Sequence, residues 1–340
     1  MSTTSPGSAA TTQKAAKINV VQAINLALDD AMAADRRVIV FGEDVGDREE
    51  GGVCGVTKGL SGKYGDARVR STPISEQAIV GAAIGAAIAG LRPVAEIMLM
   101  NFTAVAMDMI VNHAAKLRFM SGGQTHVPMV IRTMTGAGMG SGGQHSDYLE
   151  AWFAHVAGIK IVAPSNPADA YGLMLSCIED EDPCLYVEHL LSYWTPGAAP
   201  ERGVRVPLGR ARIARVGADV TVITYSGMVG HCLAVADKLA TTGINVEVID
   251  LRTISPWDVD AVLKSVTKTR SAVIVHEAVR NFGVGAEIAA TIGEHLFGTL
   301  RAPIQRVGSV YCAVPFSKPL EAAFIPDQAR IEAAIRKALP

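Results

Sequence analysis

Arg37-Val38-Ile39-Val40-Phe41-Gly42 is a short apolar run that ends on a glycine turn. A β-branched run of this length, bounded by turn residues, predicts a strand buried on both faces. Residues 75–90 follow as a helical pattern whose face is Ala and Gly, and residues 93–99 are strand-like again. Strand, helix, strand is the unit from which a parallel sheet is built, because parallel neighbours need a crossover.

The same alternation extends outward from this unit. Upstream, residues 18–34 carry apolar side chains at helical spacing. Downstream, the pattern predicts a helix over 103–119, a strand over 129–134 and a Gly-rich loop over 136–143. A strand over 159–163, a helix over 167–179 and a strand over 184–188 complete the first half. Residues 193–207 are rich in Pro, Gly and charge and read as a surface linker. Alternation resumes with strands over 220–225, 245–250 and 271–276 and helices over 229–241 and 256–264. The fold class is therefore α/β with two doubly wound domains, one over 17–194 and one over 208–340, joined by a linker over 195–207. Residues 1–16 are mostly small and polar and predict a disordered tail.

Composition narrows the function. The 340 residues suffice for two cores. Hydrophobic residues make up 49% and aromatics only 5%, with 33 glycines, as expected for close helix–sheet packing and for a surface hidden against partners. The formal net charge of -2 gives no basic footprint for nucleic acid. The most apolar region, residues 79–100, is broken by Gly, Arg, Pro and Glu, so it does not predict a membrane span. Cys54, Cys177, Cys184, Cys232 and Cys312 are scattered without a CxxC pair, which fits a reducing, cytoplasmic setting.

Ligands of open parallel sheets bind outside the carboxyl ends of the strands, and polar residues stand out at three such ends. Thr72-Pro73-Ile74-Ser75-Glu76 places an acid in the first turn of the Ala/Gly helix. Local spacing alone favours helix capping, although apolar surroundings would also suit a catalytic carboxyl. Gly142-Gly143-Gln144-His145-Ser146 ends the Gly-rich loop with a histidine, the commonest general acid or base. Glu43-Asp44 follows the first strand as a pair of acids in a Gly-rich loop. The Gly-Asp-Gly signature of magnesium-diphosphate binding is absent; Gly65-Asp66 is followed by Ala67.

Taken together, these stretches resemble the beta subunit of the thiamine-diphosphate-dependent decarboxylating component of 2-oxo acid dehydrogenase complexes. The matching segments are Phe41-Gly42-Glu43-Asp44-Val45, Thr72-Pro73-Ile74-Ser75-Glu76, Ser121-Gly122-Gly123, Gln144-His145-Ser146, Val248-Ile249-Asp250-Leu251-Arg252-Thr253-Ile254 and Gly283-Val284-Gly285-Ala286-Glu287-Ile288. Val56-Thr57-Lys58-Gly59-Leu60 and Ile131-Arg132-Thr133-Met134 look most like the acetoin dehydrogenase members. Pyruvate and branched-chain members are close behind.

The resemblance implies a pyrimidine-binding N-terminal domain, a transketolase-C-like second domain and an alpha2-beta2 heterotetramer. Thiamine diphosphate would lie between subunits, its diphosphate and magnesium held by the alpha subunit. That division explains the missing Gly-Asp-Gly. Glu76 would bond the aminopyrimidine ring nitrogen and switch the cofactor on, and Phe102 would pack against that ring. Glu43, Ile74 and Met98 are further cofactor-binding positions. His145 would act near substrate and the incoming lipoyl group of a dihydrolipoyl acyltransferase. Asp147 stands where the family usually has Gln, and a carboxylate there should favour an imidazolium at His145. A structural potassium ion is implied at Met129, Cys177, Ile178, Asp180 and Asp182, mostly through backbone carbonyls. Two other readings compete: a non-catalytic assembly subunit that docks the acyltransferase, and a freestanding transketolase-like enzyme.

Overall fold

The computed structural model describes residues 17–339; the tail expected over 1–16 lies outside them. The N-terminal half is a seven-stranded sheet, and its spatial order starts with Thr253–Ser255, Lys160–Val162, Cys184–His189 and Val130–Thr135. Arg92–Leu99, Val38–Gly42 and Val69–Ser71 complete it. The C-terminal half is a five-stranded sheet ordered Gln305–Ser309, Ala272–Val279, Val220–Thr224, Val246–Asp250 and Arg212–Arg215. Pairing is parallel in both except at one antiparallel edge strand each, Thr253–Ser255 and Arg212–Arg215. The opening run behaves as expected: Val38, Val40 and Phe41 are buried, with Val40 between Val69 and Val94 in register.

The two halves interlock more than two separate α/β cores would. Thr253–Ser255 comes from the second half of the chain yet pairs with Lys160–Val162, so the first sheet crosses the boundary expected at 208. One apolar cluster also runs from Ile79 and Ile110 through Phe153 to Ile223 and Ile274.

Two elements differ from their sequence patterns. The helix expected over 103–119 is broken into a 3-10 turn Met100–Ala104, a π-helical turn Met109–Ala114 and a short α-helix Leu117–Met120. Ala115 donates to the Ile110 carbonyl five residues back, while Gly158 lies so close to the Ala115 carbonyl that a Cβ would stand 1.9 Å from it. A wide turn is how a helix admits such a neighbour. The helix Glu76–Ile88, by contrast, forms as read. It buries Ile79, Val80, Ala83, Ile84 and Ala87, and its other small residues, Ala78, Ala82 and Ala86, line an open apolar groove with Phe41 and Pro73.

Candidate active site

The carboxyl ends of the last two strands of the first sheet, Val38–Gly42 and the edge strand Val69–Ser71, lead into the acids singled out in the sequence. Val38–Gly42 delivers Glu43, and the chain turns at once because Asp44 adopts a φ of 56°. Thr57 donates to the Val45 carbonyl at 2.8 Å and Gly52 N–H to the Asp44 carbonyl at 2.6 Å, which fixes the turn. Glu43 is only 9% exposed and its Oε1 is buried without a hydrogen-bond partner. Burial raises its pKa above the ordinary range, and the neighbouring Glu76 and Asp44 charges raise it further.

Glu76 opens the adjacent helix and is 8% exposed. Ser75 makes no side-chain capping bond, so the expected capping motif is not built. Two acids thus face one another with no basic side chain paired to either among the described residues. Such a pair is costly for the protein alone. It suits a ligand that brings hydrogen-bond donors or a protonated ring nitrogen, and an aminopyrimidine is a ligand of that kind.

Phe102 and His145 come together from different elements. Phe102 lies in the turn after strand Arg92–Leu99, and His145 ends the Gly-rich loop after Val130–Thr135. Their ring centroids are 5.4 Å apart at 78°, an edge-to-face contact that leaves the imidazole exposed. Asp147 does not serve His145 as expected. Its Oδ2 accepts from Asn101 Nδ2 at 2.9 Å, and its backbone N–H donates to Asn101 Oδ1 at 3.1 Å. Burial raises the Asp147 pKa, and the Asn101 bond partly opposes that rise. The expected imidazolium partner is an amide clamp instead.

The other expected positions spread out. Met98 is half-buried against the apolar cluster that holds Cys54 and Met134. Ile74 is 81% exposed on the isolated chain. Of the potassium positions, Cys177, Ile178, Asp180 and Asp182 lie at one helix end and turn, whereas Met129 precedes strand Val130–Thr135 and its carbonyl accepts from Cys184 N–H at 2.9 Å; the turn is already charge-balanced. Lys160 Nζ lies 2.6 Å from Asp180 Oδ1 and 3.0 Å from Asp182 Oδ2, and Arg118 reaches Asp182 Oδ1 at 2.6 Å. Arg92 donates to the carbonyls of Ile178 at 2.9 Å and Asp180 at 3.1 Å and pairs with Glu181. Each carbonyl keeps a second lone pair, so the backbone can still hold a cation; no orphaned charge calls for one. Among the described residues, no cluster of three or more His, Cys, Asp or Glu side chains could hold a metal.

Sequence reading missed a buried network beside the site. Arg132 sits in the middle of the first sheet between Glu96 and Glu188, and Tyr193 donates to Glu188. Arg132 Nη2 is 2.9 Å from Glu188 Oε2. All four side chains are buried. Burial pushes both carboxyls up and the guanidinium pulls them back. The only available sequence signal was a charge inside each of three apolar strands.

Between the halves, His189 Nε2 lies 2.6 Å from Glu277 Oε2 and Tyr225 donates to Glu150 Oε1 at 2.6 Å. Burial lifts Glu150 to a pKa of about 7, and the Tyr225 bond only partly offsets this. Its other oxygen is buried without a partner.

Residues 16–193 match the transketolase pyrimidine-binding domain and residues 209–331 the transketolase C-terminal domain. The chain is 45% identical over 333 residues to the beta subunit of acetoin:2,6-dichlorophenolindophenol oxidoreductase from Cupriavidus necator, covering 96% of this chain and 98% of that one. It is 42% identical over 334 residues to the mitochondrial pyruvate dehydrogenase E1 component subunit beta of Homo sapiens, covering 97% and 92%. A solved structure titled split gene transketolase, inactive beta4 tetramer, shares the fold with a TM-score of 0.79 at 20% identity, covering 95% of this chain and 98% of that one. The chain therefore belongs to the beta-subunit family of the thiamine-diphosphate-dependent acetoin and 2-oxo acid dehydrogenases.

Proposed function

We propose that this chain, joined to an alpha subunit, cleaves the bond beside a carbonyl and passes the acyl group to a lipoyl group on an acyltransferase. The observation that carries this reading is the pair of buried acids, Glu43 and Glu76, which have no basic partner within the chain. Bound thiamine diphosphate supplies an electron sink for the carbanion that such a cleavage leaves. Glu76 is the residue that would hold the ring nitrogen of the aminopyrimidine and its proton. Glu43 accepts a further hydrogen bond at its orphaned Oε1. Phe102 would give the ring an apolar seat, Met98 and Ile74 would need the bound cofactor and partner subunit to join it, and His145 on its exposed loop would meet substrate and lipoyl group. Diphosphate and magnesium belong to the alpha subunit, and two copies of each chain form the heterotetramer. The open groove along Ala78, Ala82 and Ala86 is the kind of apolar surface that subunit contact covers.

The test is reconstitution with an alpha subunit carrying the Gly-Asp-Gly motif and a screen of acetoin, pyruvate and branched 2-oxo acids. Glu76→Gln should keep the tetramer and lose turnover; near-normal turnover would overturn the assignment. A freestanding, transketolase-like enzyme is the second reading; the shared fold fits it, but the solved beta4 tetramer of that fold is titled inactive, which favours the alpha–beta reading. Tight thiamine diphosphate binding by the purified chain alone would support it. A potassium ion on the Met129, Cys177 and Ile178 carbonyls and the Asp180–Asp182 turn belongs to the first proposal. Melting in potassium chloride should then exceed melting in lithium chloride.

A further inference from the structure

The loop that carries His145 is shaped by glycine and held by the other half of the molecule. Gly136, Gly138, Gly140 and Gly142 all have positive φ, at 116°, 116°, 70° and 71°. A side chain at any of them would be strained. Three would also collide: an added Cβ would stand 2.9 Å from His189 Nε2 at Gly136, 2.6 Å from Leu191 Cδ1 at Gly138 and 2.4 Å from Phe316 Cζ at Gly142. A segment so rich in glycine is floppy unless its backbone is tied down.

Two carboxylates of the C-terminal half tie it. Glu321, on the short helix Lys318–Phe324, accepts from Gly138 N–H at 2.7 Å through Oε1 and from Gly140 N–H at 3.0 Å through Oε2. Glu277, at the end of strand Ala272–Val279, accepts from Ala137 N–H at 2.7 Å and holds His189 with its other oxygen. Glu321 is 2% exposed and Glu277 is 5% exposed, and Glu321 has no basic partner among the described residues. A buried carboxylate whose recorded partners are backbone amides of one loop is spent on the shape of that loop. Beyond it, Asn101 Nδ2 donates to the Gly143 carbonyl at 2.9 Å, and His145 N–H donates to the Gly142 carbonyl at 3.2 Å. The loop is thus anchored on both sides just before the imidazole.

We propose that Glu321 is a positioning residue for His145: through the Gly138 and Gly140 amides, with Glu277 on Ala137, the C-terminal domain holds the imidazole beside Phe102. The inference rests on the role given to His145 above. It gives the C-terminal domain a part in the reaction through bonds made to backbone.

The test uses the reconstituted alpha–beta holoenzyme with Glu321→Ala and, in case that variant does not assemble, Glu321→Gln, which keeps one acceptor oxygen. Two readouts are taken: amide hydrogen exchange of the peptide covering 136–145, and the rate of lipoamide reduction against that of dichlorophenolindophenol reduction. Glu321→Ala should speed exchange in that peptide and slow lipoamide reduction by on the order of 10-fold to 100-fold, since a displacement of about 1 Å costs that much. Dichlorophenolindophenol reduction should fall far less. In a His145→Ala background the same substitution should cost less than about 2-fold, because two residues acting as one unit are not additive. Unchanged exchange at 136–145, or an equal loss in both backgrounds, would overturn the proposal. If His145→Ala alone leaves lipoamide reduction intact, the reading of His145 fails, and the exchange data still decide whether Glu321 holds the loop.

Discussion

Two groups of buried acids lie within the same sheet and have opposite surroundings. Glu96 and Glu188 share Arg132 and the Tyr193 hydroxyl, and all four are sealed between strands. Glu43 and Glu76 lie at the strand ends with no basic partner among the described residues, and burial, with the Glu76 and Asp44 charges, raises the pKa of Glu43. A buried charge matched within the chain is structure. A buried charge left unmatched has been kept for something that arrives later. Glu150 stands between these cases, with one oxygen on Tyr225 and the other without a partner.

Four substitutions bear on that contrast. The largest expected effect is at Glu76: replacing it with Gln should lower turnover of the holoenzyme by on the order of 1,000-fold, within the range of lost proton control, and barely move the melting temperature. A large loss of stability with intact turnover would invert the contrast. Arg132→Met should do the reverse. It strands Glu96 and Glu188 and should cost about 3–5 kcal/mol of stability, read by denaturant unfolding.

At Glu150 the sign follows from linkage. Its folded pKa of about 7 lies above the ordinary glutamate value of 4.5, so the folded state binds the extra proton between those values. Stability from this group is full below the unfolded pKa and is lost as pH rises through 7. Relative to wild type, Glu150→Gln should therefore gain about 3 kcal/mol between pH 4 and pH 8. His276 runs the other way: burial lowers it to about 4, so its contribution is lost as pH falls from 6.5. The difference between Glu150→Gln and wild type isolates the carboxyl, and a flat difference would deny that burial governs it. The smallest effect is at Glu43, where Gln removes a carboxyl whose ionised form burial penalises. The isolated chain should gain about 1 kcal/mol, while the holoenzyme binds thiamine diphosphate less tightly. Weaker stability with unchanged cofactor binding would make Glu43 an ordinary core residue.

Much of this was legible in residue order. The run at Val38–Gly42, the helix at Glu76–Ile88 and the alternation around them have strong local periods, and they formed where read. Glu43, Glu76 and His145 were visible because they interrupt apolar or glycine-rich patterns at strand ends. The helix expected over 103–119 is interrupted where Gly158, remote in sequence, packs so close to the Ala115 carbonyl that no Cβ would fit. Asp147 was expected to serve His145, but Asn101, 46 residues away, holds it instead.

The sequence by itself determined the layers, the kind of site and the family, because period, glycine placement and motif order are properties of neighbours along the chain. Only the tertiary structure decided which charges are matched and which are left open. Glu76 and Glu96 are each a lone acid in an apolar stretch and look alike as text. Arg132 separates them: it pairs with Glu96 and is not paired with Glu76, because the sheet sets strand Val130–Thr135 beside Arg92–Leu99. Glu277 and Glu321 meet the loop before His145 from 140 and 183 residues away, a pairing that no local pattern encodes.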